Sequence, residues 1–153
     1  MKKFFIFLLL IISCHPEGDD NDFETTPYSL FYPSDVFPTM LIPEDNLLTQ
    51  EGVSLGKKLF FDPILSSNNA ISCASCHIQA NSFSDPNQYS IGINGDFGFR
   101  NAFSLVNIGW NSSFNWDGSA SSLENQVFEP VTNPIEMANN WAQVENDLNA
   151  SSE

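Results

Sequence analysis

Two cysteines three positions apart with a histidine directly behind the second, Cys73-Ala74-Ser75-Cys76-His77, are the residues of this chain best suited to chemistry. On one turn of backbone, thiols at this spacing reach the two vinyl groups on one side of a porphyrin, and the next side chain is then placed under the iron. The pattern predicts covalently attached haem c, with thioethers from Cys73 and Cys76 and with His77 as the proximal ligand. Such a cysteine pair can also form half of a zinc site or a thioredoxin-like redox couple. Zinc lacks further ligands, because outside the motif only Cys14 and His15 remain, both near the N-terminus. A redox couple leaves His77 without a task.

The elements that must position this motif are readable in four places. Thr49 can cap a helix running to about Phe61, with Val53, Gly56 and Phe60 on one face, Leu55 and Leu59 adjacent, and Asp62-Pro63 stopping it. A short helical turn should carry Cys73 to His77. Ser121-x-x-Glu124 has the capping-box pattern and opens a helix through Phe128 that Pro130 should end. Asn140 can cap a last helix from Trp141 to about Leu148. Residues 79–99, rich in Gly, Asn and Ser, should form a long loop over one haem face. No strand pair is convincing, so the expected class is mainly α, short helices joined by long ordered loops around a haem that supplies part of the core.

Residues 1–13 read as an export signal, with Lys2 and Lys3 before an apolar run, Phe4 to Ile12, too short to span a bilayer. Ile11-Ile12-Ser13-Cys14 resembles a bacterial lipoprotein cleavage box, which would make Cys14 the lipidated N-terminus. A free or disulfide-bonded Cys14 is the alternative, but the other two cysteines are committed to haem. The expected setting is the periplasmic side of the bacterial cell envelope, with a lipid anchor as the sole link to the membrane. Residues 14–42 should be an acidic, proline-containing tether and residues 43–153 the haem domain. Without residues 1–13, three basic residues (Lys57, Lys58, Arg100) face 19 acidic ones, a formal charge of −16. That balance excludes nucleic acid as a partner and suits steering toward a basic protein such as a small donor cytochrome, though it would equally keep the domain soluble.

Leu55-Gly56-Lys57-Lys58-Leu59-Phe60-Phe61-Asp62-Pro63, Ile71-Ser72-Cys73 through His77, Arg100-Asn101-Ala102, Trp116-Asp117-Gly118 and Pro130 through Met137 resemble, in order and spacing, the N-terminal haem domain of bacterial di-haem cytochrome c peroxidases and the related MauG-like enzymes. The resemblance covers roughly residues 43–148. It implies a cytochrome c-like fold and a peroxidatic haem, at which hydrogen peroxide is reduced to water with electrons that a donor cytochrome supplies through a second haem. It also implies that Glu136 is the distal acid-base, moving a proton from one peroxide oxygen to the other, and that Gln126 is the distal amide that orients peroxide. Trp116 then matches the tryptophan on the electron route between haems, Asn101 matches an asparagine of an inter-haem calcium site, and the full-length protein could be a homodimer.

Departures from the family pattern are as informative. Many members hold a second axial histidine in an Ile-Gly-His-Gly context and release it on activation, whereas Ile91-Gly92-Ile93-Asn94-Gly95 puts isoleucine there. Asn115 stands where an aromatic residue precedes the tryptophan, and Ser119 where an arginine follows Trp-Asp-Gly. The family continues into a second haem domain, and this chain stops at Glu153, as a fragment or truncated product would. Two alternatives to the peroxidase remain: a MauG-like oxidase, and a single-haem electron carrier with Met137 as the second iron ligand. Met40, before the motif, is a weaker ligand candidate. Glu136 and Met137 are neighbours and on a helix would point about 100° apart, so both cannot face one iron.

Overall fold

The structure, a computed structural model, describes residues 24–31 and 36–151; Cys14, His15 and the export segment lie outside the described residues. Helix α1 spans Gln50–Phe61, as the caps predict. The Thr49 hydroxyl accepts the Gly52 N–H at 3.0 Å, satisfying one of the donors left open at a helix start. At the other end Asp62 is extended, and its carboxylate accepts the Ile64 N–H at 2.9 Å to start the 3₁₀ turn Pro63–Leu65. Leu55 is exposed rather than adjacent to the buried face, and α1 packs through Leu59 and Phe60 near its C-terminal end.

Helix α2, Cys73–Cys76, is a single turn, with His77 as its C-cap and the His77 N–H on the Cys73 carbonyl at 2.9 Å. So short a helix does not hold by itself. It rests against α1, and the Ser75 hydroxyl accepts the Ser72 N–H at 3.0 Å.

Helix α3 spans Leu123–Thr132 and α4 spans Trp141–Ala150. Two expectations need correction. The α3 cap is Ser122, whose hydroxyl accepts the Asn125 N–H at 3.1 Å, rather than Ser121. Pro130 lies inside the helix instead of ending it. The missing proline N–H costs one bond, the one to the Gln126 carbonyl, and the helix still closes beyond it with the Asn133 N–H on Glu129 at 2.9 Å. Asn140 caps α4 as expected, through the Gln143 N–H at 2.9 Å, and that helix continues two residues past Leu148.

The buried cluster is Leu65, Val131, Met137 and Val144, where the 3₁₀ turn, α3 and α4 meet. Val131 and Val144 are 0% and 1% exposed, each such burial stabilising by about 1.5–3 kcal/mol. Leu59, Ile64, Ile71, Cys73 and Trp141 pack around it, so the core touches the attachment turn directly. Buried Asn139 ties the layers together by donating to the Leu65 carbonyl at 3.2 Å. No helix among the described residues is long and apolar enough to cross a membrane.

Pairing among the described residues is confined to isolated bridges, Pro27 with Thr49, Ile78 with Ser84, Ile91 with Phe97 and Phe114 with Ala120. Part of the expected tether lies along the domain: Tyr28 N–H bonds Leu48 at 3.0 Å, and Trp110 donates its indole N–H to Pro38 at 2.8 Å. The loop 91–97 docks on the segment after α3, the Ile93 N–H reaching the Glu136 carbonyl at 2.9 Å. Gly92 makes this approach possible, since a Cβ there would stand 1.6 Å from the Ile135 carbonyl oxygen. Gly92→Ala should therefore destabilise the protein by about 2 kcal/mol, as overpacking against backbone does. Gly56→Ala, with nothing within 4 Å inside α1, should stabilise by about 0.5–1 kcal/mol. Urea unfolding of both variants checks this; equal effects would contradict the close docking.

Candidate active site

The attachment residues are arranged as covalent haem binding requires. Cys73 and Cys76 are free thiols, both partly buried, at the two ends of α2. Burial pushes both thiols up; at Cys76 a Ser90 hydrogen bond opposes this, while the charges of Asp85 and Glu136 add to it. Both carboxylates therefore lie in the surroundings of the attachment turn.

His77 is oriented by backbone. Its Nδ1 is 3.0 Å from the Phe83 carbonyl oxygen, an acceptor, so Nδ1 carries the proton and Nε2 is the nitrogen left to bind a metal. Ser82 and Phe83 both sit in the left-handed region, at φ +58 and +55. For a phenylalanine this is an outlier that neighbouring structure must hold. The hold is visible: Phe83 N–H bonds Ile78 at 3.0 Å, and the Phe83 carbonyl also accepts the Leu105 N–H at 3.3 Å. Phe103 packs edge-on to the imidazole, with ring centroids 5.6 Å apart. Two thiols on one turn and a histidine with a fixed tautomer fit haem c.

Glu136 and Met137 lie in the turn beyond α3 rather than on a helix, and they part company there. Met137 is 5% exposed and belongs to the core, while Glu136 is exposed, with its charge felt at Cys76. Although residue 136 reaches the surface, the carboxyl is hemmed in by protein. This desolvation raises its pKa above the usual carboxylate value of 4.5, against an opposing hydrogen bond from Asn133 Nδ2 at 3.0 Å and with a further push from the charge of Glu129.

Gln126, half-buried on α3, donates Nε2 to Asn115 Oδ1 at 3.4 Å. Asn115 in turn donates to Glu129 Oε2 at 2.7 Å, so one asparagine joins the expected distal amide to the carboxylate that acts on Glu136. Trp116 is 64% exposed, but its indole N–H is fixed on the Asn101 carbonyl at 2.7 Å. The Asn101 side-chain amide donates to the carbonyls of Asp85 and Asn87, at 3.1 and 2.7 Å. A calcium ligand at that residue would use its other atom, Oδ1. No group of three or more His, Cys, Asp or Glu side chains that could hold a metal ion is gathered among the described residues.

Sequence reasoning missed Asp85, Ser90, Asn115 and Glu129. Asp85 is enclosed by its own loop: it accepts from Ser90 Oγ at 2.7 Å and from the Asn87 N–H at 2.8 Å. Despite some burial, these bonds keep its carboxyl below the ordinary value, and His77 contributes in the same direction. The Asp85-Pro86-Asn87 run was the available signal, a pattern in which an aspartate bonds its own backbone two residues on.

The match to known proteins is extensive. The model of the di-haem cytochrome c peroxidase family matches residues 50–153. The chain belongs to that family. Among its relatives are the methylamine utilization protein MauG of Methylorubrum extorquens, 43% identical over 99 residues (62% of this chain, 27% of the relative), and the cytochrome c peroxidase Ccp of Escherichia coli, 38% identical over 108 residues (70% and 23%). The chain thus spans about a quarter of the length of these relatives. A crystal structure of a MauG-like protein associated with microbial copper homeostasis superposes with a TM-score of 0.74 at 32% identity, covering 81% of this chain and 37% of that one. The diheme peroxidase BthA of Burkholderia thailandensis superposes with a TM-score of 0.60 at 29% identity, covering 67% and 30%. The mostly helical fold and the haem c that the family implies agree with the geometry of this di-haem peroxidase-family domain.

Because Glu129 lifts the proton affinity of Glu136, Glu129→Gln should lower the Glu136 pKa toward 4.5. Carboxyl-carbon NMR of selectively labelled protein across pH 3–8 reads this as a titration moved to lower pH; a Glu136 titration unchanged by the substitution would separate the two groups.

Proposed function

We propose that this chain is the peroxidatic half of a di-haem cytochrome c peroxidase, reducing hydrogen peroxide with electrons that reach it from a donor cytochrome through a second haem. The observation that carries the reading is the placement of Glu136 outside the core, near Cys76, with its proton affinity raised by burial. Bound haem supplies an iron centre that binds peroxide and passes it two electrons; with two protons, two waters result. The chain's own part is proton handling and orientation. As a carboxylate, Glu136 takes the proton of one peroxide oxygen and returns it to the other, so that the departing oxygen leaves as water. Asn133 Nδ2, at 3.0 Å, keeps that carboxylate in place. Gln126 orients peroxide, and Trp116, held on Asn101, receives electrons from the second haem.

Related MauG proteins make a MauG-like oxidase the second reading, since that chemistry can use the same half-site with another substrate. The electron-carrier reading is disfavoured by Met137, which is packed with Leu65, Val131 and Val144. Met40 is similarly engaged, its sulfur against Gly109. Calcium at Asn101, a homodimer, lipidation of Cys14 and a periplasmic location complete the proposal. A mature N-terminus that mass spectrometry finds at any residue other than Cys14 would remove the anchor.

Glu136→Gln in the haem-loaded protein should slow haem oxidation by peroxide about 10²–10⁴-fold and leave the resting spectrum unchanged. In the unsubstituted protein the rate should fall as pH drops through the Glu136 pKa, above 4.5, because the protonated acid cannot accept the proton of peroxide. Stopped-flow absorbance measures both, and a wild-type rate in Glu136→Gln would defeat the assignment. The resting ferric haem should be high-spin by electron paramagnetic resonance. A low-spin signal with a methionine charge-transfer band that Met137→Leu abolishes would establish the electron carrier instead.

A further inference from the structure

Residues 114–120 form a small clasp. Phe114 and Ala120, both 7% exposed, pair through two backbone hydrogen bonds and close a loop of five residues, in which the Gly118 N–H returns to the Asn115 carbonyl at 3.2 Å. The loop binds outward at three consecutive residues. Trp116 bonds the Asn101 carbonyl, Asp117 pairs with Arg100 at 2.8 Å, and Asn115 reaches α3.

Asn115 occupies the left-handed region at φ +63, which asparagine tolerates better than most residues with a Cβ. Both N–H groups and the oxygen of its side-chain amide are engaged. Nδ2 donates to Ser119 Oγ at 2.9 Å and to Glu129 Oε2 at 2.7 Å, the second a charge-assisted bond; Oδ1 accepts from Gln126 Nε2 at 3.4 Å. Gln126 and Glu129 are three residues apart on α3 and so share a face. Asn115 and Ser119, the two residues of this turn that depart from the family pattern, are thus bonded to each other.

We propose that Asn115, locked by Ser119 and Glu129, is a positioning residue that fixes the Gln126 amide in a single orientation toward peroxide. The proposal rests on the peroxidatic reading of Gln126. An unrestrained glutamine amide rotates about its last bond and presents oxygen or nitrogen equally; a neighbour that accepts one N–H removes that freedom. Asn115 does this from a backbone pinned at both ends of its loop, and it also ties the orientation to the turn that carries Trp116.

Asn115→Gly, Gln126→Ala and the double variant test it in the haem-loaded protein. Glycine suits φ +63, so the turn should persist while the side chain is lost. One readout is the infrared stretch of carbon monoxide on the ferrous haem, which reports the polar groups facing the bound molecule. The other is the rate of haem oxidation by peroxide. Wild type should give a single carbon monoxide band. Asn115→Gly should split it and slow oxidation about tenfold, the size of one orienting hydrogen bond. Gln126→Ala should give one shifted band, and adding Asn115→Gly to it should change neither readout, because the two residues act as a unit. Several bands already in wild type, or an Asn115→Gly effect that persists undiminished without Gln126, would overturn the proposal. Were Gln126→Ala active in both readouts and Asn115→Gly inert, the proposal would fall and the Gln126 assignment stand. If Gln126→Ala itself changes nothing, the assignment falls and the proposal with it.

Discussion

The segment from Pro134 to Ala138 must face two ways at once, and this constraint organises the rest of the molecule. Met137 enters the core with Val131 and Val144, while Glu136, one residue earlier, stays beside the attachment turn. The backbone leaves α3 at Asn133 and folds on itself, with Met137 N–H on Pro130 at 3.2 Å and Ala138 N–H on Asn133 at 3.0 Å. Ala138 takes φ +50 to complete the reversal. Core burial of Met137 thus supplies the stability that limits where the neighbouring Glu136 carboxylate can go.

Three of the six left-handed non-glycine residues among the described residues direct groups in or beside the candidate site. Left-handed Phe83 aims a carbonyl at His77, left-handed Asn115 aims an amide at α3, and left-handed Ala138 seats Met137. Each such residue costs on the order of 1–2 kcal/mol relative to a relaxed backbone. Two backbone hydrogen bonds hold Phe83, while the Asn115 carbonyl accepts one, from Gly118, and the Ala138 N–H makes one, to Asn133.

Much of this was legible in the residues, for physical reasons that differ by level. Thr49, Asn140 and the Cys73–His77 spacing act locally, through caps and covalent chemistry, and local signals survive in sequence. Pro130 misled because proline's cost depends on where in a helix it falls, and that is fixed by the tertiary contact of Val131 and Met137 rather than by the proline itself. The acceptor for His77 was invisible, since it is a main-chain carbonyl that any residue at position 83 could supply. Asn115 read as a departure from a pattern; its use appears only when Gln126 and Glu129, 11 and 14 residues on, are seen beside it.

Residues 92–94 brace the segment that carries Glu136, largely through backbone. The loop is a fixed support: Ile93 N–H holds the Glu136 carbonyl at 2.9 Å, Asn94 Nδ2 reaches the Pro134 carbonyl at 3.5 Å, and Gly92 lies so close to Ile135 that no side chain fits between them. Moving it would pull on the segment that carries Glu136. Residues 92–94 and 134–136 are therefore one packed unit, and the position of Glu136 depends on this loop as much as on the core.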